Sequence, residues 1–463
     1  MTNVDVAIVG GGLAGLAAAW HAQQEGLSYV LLERSGRLGG KALSEQVWGY
    51  GDTPFTIEYG PDGFITRKPW AMELAQAVDA EITPVRPLPE RIYVLSEGEL
   101  HPIPDGLYLL VPTKIRPLVQ SGLFSLAGKL RMLAERFVPA KTDVKDESVA
   151  DYIRRRLGVE ALDKLGEPLL AGVYNADVEQ MSMHATFKQF PALEREHGSL
   201  SVGMRRKMRH RVKGGESPPA LVSMLNGMGA LADAVAERLT GDVRTDVEVE
   251  SIQAYQSAYV INTDSGTVDA DNLILATSAA TSASLVDGLA SAAAESLREI
   301  RYEGVGSMAL AYCSADIPCV LDAYGIVIPG SENRSIDGIT FASAKWDNRA
   351  PEGYELLRVF FGGPNTRHLL GKSDSEVLDV VRGELHEILG ITAEPVLSRI
   401  RRWAAGYPQY DVGHLERVAA IRKALPAGIH LTGLAYDGVG IPDTVRGARN
   451  AVRAIKRNRK EKV

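Results

Sequence analysis

Apolar runs of strand length alternate with glycine turns and helix-period stripes along much of the chain, most clearly at its start. Residues 4–9 (VDVAIV) read as a strand buried on both faces, residues 10–15 (GGGLAG) as a turn, and residues 13–24, rich in alanine, as a helix. Residues 28–32 (SYVLL) supply a second strand that runs into Glu33. Helical spacing dominates residues 69–78 and 113–170, where Ser148 is placed to cap VADYIRRRL. Residues 205–215 (RRKMRHRVKGG) read as a solvated basic loop. A strand at 221–224 and an amphipathic helix at 230–239 come next, then short strands at 247–252, 259–263 and 273–276. SMALAY, YGIVI, GITFA and LLRVFF, between residues 306 and 361, read as antiparallel strands forming one wall of a substrate cavity, with a helix at 375–389. The chain closes on an apolar strand at 429–434, a glycine-punctuated turn at 437–442 and a helix capped by Asp443 and Thr444, mirroring the N-terminal unit.

The N-terminal pattern carries chemistry. Gly10 permits a tight turn, Gly12 lets a pyrophosphate approach the backbone, and Gly15 lets the helix pack on the strand. The helix N-terminus offers unpaired N–H groups and a partial positive charge to an anion. Glu33 is placed to accept hydrogen bonds from a ribose diol, which disfavours a phosphate on that ribose. A bound dinucleotide follows, with NAD and FAD both open.

Composition narrows the classes. With 463 residues, 45% of them hydrophobic, the chain can bury a large core without disulfides or metal, and its length predicts several interleaved units. A net charge of −7 argues against nucleic-acid binding. The two cysteines, Cys313 and Cys319, and the nine histidines show no disulfide framework or ligand spacing, so no metal and a reducing cytoplasm are expected. Residues 1–9 lack signal-peptide character, and no apolar run reaches the roughly 18 residues of a spanning helix. Residues 107–138 mix large apolar side chains with Lys114, Arg116, Lys129, Arg131 and Arg136. A packed helical pair is the expected reading there, and peripheral membrane contact is the alternative.

After Glu33, the segment Arg34-Ser35-Gly36-Arg37-Leu38-Gly39-Gly40-Lys41 resembles the second glycine loop of the flavin amine oxidase superfamily, which turns the choice toward FAD. More specific motifs span nearly the whole chain: EYGPDGF (58–64) with Arg67-Lys68-Pro69, SLAGKLR (125–131), ESVAD (147–151), LAGVY (170–174), EHGSL (196–200), PQY (408–410) with Gly413-His414, and GVGIPD (438–443). Together they resemble the oxygen-dependent protoporphyrinogen and coproporphyrinogen oxidases.

That resemblance implies an α/β fold: a Rossmann-like FAD-binding domain of the p-hydroxybenzoate hydroxylase/amine oxidase type, interleaved with an α+β substrate domain and a helical subdomain. The corresponding segments are 1–66, 216–300 and 396–463 for FAD, 67–90, 190–215 and 301–395 for substrate, and 91–189 for the helical part. It also implies noncovalent FAD and a six-electron, oxygen-using conversion of protoporphyrinogen IX or coproporphyrinogen III to the porphyrin in haem biosynthesis. Hydrogen peroxide would be released and the product handed to ferrochelatase, by a monomer or homodimer. FAD contacts map onto Gly10, Gly11, Gly12, Leu13, Ala14, Gly15, Glu33, Arg34, Gly40, Lys41, Gly60, Pro61, Asp62, Gly63, Val249, Trp403, Val439, Gly440 and Ile441. Flavin itself would accept the hydride, so no catalytic side chain is assigned. Arg91 corresponds to an arginine that pairs with a substrate propionate. Ala176 occupies a substrate-wall position where relatives often carry glycine, and Gly63 replaces their serine or asparagine, which predicts a looser loop. Competing readings are an amine oxidase or carotenoid desaturase of the same fold, a non-catalytic flavin-binding porphyrin carrier, and an NAD-dependent dehydrogenase.

Overall fold

The computed structural model describes residues 3–460 except 90, 109, 172–173, 212–218 and 257. Val6–Val9 occupies the centre of a five-stranded parallel sheet, flanked by Tyr29–Leu32 and Leu273–Leu275, with Asp242–Arg244 and Ile429–Leu431 at the edges. Its residues alternate between two cores. Val6 and Ile8 meet the helices Leu13–Gln24, Gly229–Glu237 and Ile441–Lys460, whereas Ala7 and Val9 meet an antiparallel layer and the helices Ala279–Val286, Ser291–Arg298 and His414–Ala424. Burial on both faces is why the strand's apolar run is unbroken.

A second sheet has seven strands, in the order Leu397–Pro408, Tyr302–Cys313, Tyr354–Phe361, Gly338–Phe341, Gly325–Val327, Tyr93–Ser96, Glu99–Pro102. Met308, Leu310 and Val359 face the helix Asp374–Leu389 through Val377, Val381 and Leu385. The intervening Ala309 and Ala311 face the other way, against Phe55 and Ile57 of the strand Phe55–Glu58. Arg358 pairs with Ala309 in register and so shares that face, the one turned toward the glycine-rich segment at 60–63.

The third unit is helical. Val149–Arg156, Gln189–His197 and Leu200–Arg211 pack around Tyr152, Ile153, Phe190 and Met204, and Ser148 caps the first of these helices by accepting from Asp151 N at 3.0 Å.

Long-range pairing moves several expected boundaries. Residues 93–102 and 397–408 form the two opposite edges of the seven-stranded sheet, not parts of the helical segment 91–189 and the FAD segment 396–463. The helix Trp70–Ala77, in a segment expected to bind substrate, buries Ala71, Leu74 and Ala75 in the core of the parallel sheet's helical face. The basic stretch from residue 205 is helical to Arg211 because it continues an amphipathic helix begun at Leu200; residues 212–215 lie outside the described residues. The last helix starts at Ile441, so Asp443 sits within its first turn. Among the described residues no helix is long and apolar enough to cross a membrane.

Candidate functional site

The two glycine loops meet at the carboxyl ends of the first two parallel strands. Gly10, at φ +103°, donates to Leu32 O at 2.8 Å, a backbone conformation that L side chains rarely adopt. A Cβ on Gly15 would stand 1.8 Å from Gly10 O, so glycine sets the contact between helix and strand. Gly39 N donates to Gly11 O at 2.8 Å, tying the second loop to the first. Around Gly12 the space is open: a Cβ there would find only Gly40 Cα, at 3.9 Å. The helix Leu13–Gln24 that Gly12 caps has neither a side-chain cap nor an acid in its first turn. An open cradle lined by uncapped N–H groups at a helix N-terminus fits a dinucleotide pyrophosphate.

Glu33 stands at the rim of this cradle. One carboxylate oxygen accepts from Gly11 N at 2.6 Å and the other from Ser35 N and Oγ at 2.9 and 2.6 Å, which fixes its orientation. Val249 begins the neighbouring strand Val249–Tyr255, half-buried. Arg34 is exposed; it is Arg37 that holds the second loop, donating to Gly40 O at 2.8 Å. Lys41 donates to Ala405 O and Gly406 O at 2.7 and 2.6 Å, and burial brings its ammonium down to about 8. Among the described residues no carboxylate pairs with it, so its charge is available to an anion.

The loop at 60–63 is clamped from the seven-stranded sheet. Arg358, buried, donates to Gly60 O at 2.7 Å and Ser307 Oγ at 3.2 Å. Asp62 accepts from Lys345 Nζ at 2.7 Å and Trp346 Nε1 at 3.3 Å; burial would raise its carboxyl, but Lys345 and, beyond it, Arg358 outweigh this and hold it at about 2. Pro61 lies half-buried between the two clamped residues. Gly63 does not loosen the loop as expected. A Cβ there would come 2.6 Å from Val222 O and 2.8 Å from the Trp346 ring, so the glycine is the residue that lets Trp346 pack.

The end of the strand Leu397–Pro408 connects these pieces. Trp403 Nε1 donates to Tyr59 O at 2.6 Å, Ala405 and Gly406 receive Lys41, and shortly beyond, Tyr410 Oη accepts from Gly438 N at 2.8 Å. Gly438, at φ +128°, opens the turn through Val439 and Gly440 into Ile441. The expected cofactor contacts include Trp403 and this turn; the sequence gives no role to Ala405, Gly406, Lys345 or Arg358, and marks Tyr410 only as part of the PQY motif. Of these, Arg358 left a signal: a lone cation inside the apolar run LLRVFF.

Arg91 is exposed ahead of the strand Tyr93–Ser96; its carbonyl accepts from Tyr324 N at 2.9 Å, and its guanidinium forms no ion pair among the described residues. Ala176 is only 4% exposed and belongs to the helical core. The left-handed backbone falls instead on Asn175, at φ +46°, whose side-chain amide donates to Gly304 O at 2.7 Å.

Comparison with known proteins matches residues 13–456 to the flavin containing amine oxidoreductase family. The coproporphyrinogen III oxidase of Bacillus subtilis (strain 168) is 33% identical over 96% of this chain and 97% of its own length. The chloroplastic protoporphyrinogen oxidase of Oryza sativa subsp. japonica is 29% identical over 98% of this chain and 88% of its own. A crystal structure from Exiguobacterium sp. 255-15, 31% identical, superposes with a TM-score of 0.86 over 99% of this chain and 100% of that one.

Proposed function

Because the chain belongs to the flavin-containing amine oxidoreductase family, we propose that it oxidises a porphyrinogen to a porphyrin on noncovalently held FAD, with coproporphyrinogen III as the preferred substrate. The observation that carries this reading is similarity to porphyrinogen oxidases along nearly the whole chain, with the dinucleotide cradle intact beneath it.

In this reading Gly10 to Gly15 hold the pyrophosphate, Glu33 the ribose, and Lys41 supplies a nearby cation. The clamped loop at 60–63 and the turn at 439–441 hold the ring. Bound there, flavin supplies two-electron oxidation, repeated three times with dioxygen as acceptor and hydrogen peroxide as product. The chain's own residues orient and shield. Arg358 and Lys345 keep the loop backbone fixed, and Arg91 holds a propionate in a forked pair. Neither cysteine lies in the 437–442 turn: Cys313 ends the strand Tyr302–Cys313 and Cys319 follows it, which supports noncovalent attachment.

Contact with a membrane surface is part of the proposal. Ile115, Val119, Leu126, Leu130 and Phe137 are each more than half exposed, and Lys114, Arg116, Lys129 and Arg136 lie among them in the chain. An apolar face set with cations suits the boundary of an anionic bilayer. Of the two readings open from the sequence, a packed helical pair and peripheral membrane contact, this exposure favours the second.

Fluorescence assays with both porphyrinogens, run side by side, test the substrate. Coproporphyrinogen III is expected to give the higher kcat/KM, and Arg91→Ala to raise KM about tenfold, equivalent to about 1.4 kcal/mol, with flavin content unchanged. A preference for protoporphyrinogen IX would reverse the assignment, and loss of flavin in the variant would give Arg91 a structural role.

A further inference from the structure

The segment Pro408-Gln409-Tyr410 with Gly413-His414 is singled out by the sequence, yet cofactor contact does not account for it. Its geometry is that of a staple. The Tyr410 side chain is buried, and its hydroxyl donates to Leu434 O at 2.6 Å while accepting from Gly438 N at 2.8 Å. It therefore spans the connection from the last parallel strand, Ile429–Leu431, to the helix Ile441–Lys460. Gly438 holds a conformation only glycine adopts readily, so its N–H direction is set by the turn itself. The ring of Tyr410 lies nearly parallel to that of His414, 3.9 Å between centroids and 18° between planes, and His414 is wholly buried.

The backbone of the same segment grips the helical unit. Ser182 N donates to Tyr410 O at 2.7 Å, Val412 N to Gln180 O at 2.9 Å, and Gln409 Nε2 to Asn175 O at 3.3 Å. Arg301 clamps Asp411 through two bonds of 2.9 and 2.8 Å. One short stretch thus joins the helical unit, the residue ahead of the strand Tyr302–Cys313 and the turn ahead of the final helix.

We propose that Tyr410, braced by His414, is a positioning residue that fixes the flavin-side turn at 438–441 and couples it to the helical unit. The proposal rests on the reading of that turn as a flavin contact. The hydroxyl holds the turn at both ends, and the stacked imidazole holds the phenol ring in the one orientation that reaches both. Without the hydroxyl, Gly438 N–H and Leu434 C=O lose their partner while the ring, the stack and the backbone pairing survive. The turn then moves, and flavin loosens.

The test is Tyr410→Phe in the full-length holoprotein, with His414→Ala as a second variant that removes the brace and leaves the hydroxyl. Flavin release after dilution is expected to be about tenfold faster in both, with a shift of the visible flavin bands. With FAD saturating, kcat should fall and KM for the porphyrinogen stay constant. Wild-type release rates and flavin spectrum alongside a lowered melting temperature would overturn the proposal, since a merely structural residue behaves so. A raised KM with unchanged kcat would also overturn it, by making Tyr410 a substrate contact. A wild-type chain that takes up no FAD removes the underlying reading as well, whereas normal flavin behaviour in both variants removes this proposal alone.

Discussion

Gly15→Ala is expected to purify colourless, with flavin per chain reduced at least about tenfold. The added Cβ would lie 1.8 Å from Gly10 O and within 3.3 Å of the Leu31 side chain, so the helix must retreat from the strand. It has nowhere to go, because Leu16, Ala17, Ala18 and Ala19 are fully buried in the core behind it. Overpacking of this kind costs about 1–3 kcal/mol in stability. The larger loss falls on binding, since in the proposed reading the uncapped N–H groups of the helix must meet the pyrophosphate. Absorbance at the flavin bands relative to protein, after gel filtration, reads the outcome. Gly288→Ala is the comparison: nothing lies within 4 Å of the Cβ it adds, and flavin content should not change. Full flavin retention in Gly15→Ala would dissolve the case for the cradle.

The second large effect lies in the helical unit. Glu135 and Arg156 are both wholly buried and ion-paired, and Glu135 also accepts from Ser199 Oγ at 2.7 Å, Leu200 N at 2.8 Å and Ser201 Oγ at 2.8 Å. Glu135→Ala removes the carboxylate nearest the Arg156 guanidinium, leaving it Glu194 at 3.6 Å, and takes the acceptor from Leu200 N at the start of the helix Leu200–Arg211, a loss of about 3 kcal/mol by urea unfolding. In the native chain burial raises the Glu135 carboxyl, but the Leu200 N–H, the Ser199 hydroxyl and Arg156 outweigh it and hold the group below its ordinary 4.5. A depressed carboxyl stabilises the fold above 4.5 and ceases to do so as pH falls through its folded value. The gap between variant and wild type should therefore narrow under acid; a gap independent of pH would mean that packing, not charge, is what the variant loses.

These bonds also explain why EHGSL stands out in the sequence. Gly198, at φ +68°, ends one helix, and Ser199 and Leu200 present the next to Glu135. A motif legible as a family mark is here a structural elbow. Its partner, more than sixty residues earlier, gives no local sign of the pairing.

What was legible followed from local rules. The strand, glycine turn and helix at the start, the Ser148 cap and the antiparallel strands after residue 306 all depend on neighbours in sequence. What escaped depends on distant partners. Nothing near residue 93 or residue 397 says that these strands close opposite edges of one sheet. Nothing near Gly63 in sequence shows that Trp346, far along the chain, fills the space above it. The attachment of Lys41 to Ala405 and Gly406, which links the glycine loop to the strand Leu397–Pro408, rests on carbonyls that carry no sequence signature.

Anaerobic titration of the purified holoprotein with coproporphyrinogen III tests the central claim most directly. Bleaching of the flavin absorbance in step with porphyrin formation, and its return on admitting air, is the predicted result. A yellow protein whose spectrum stays unchanged by excess porphyrinogen would contradict it.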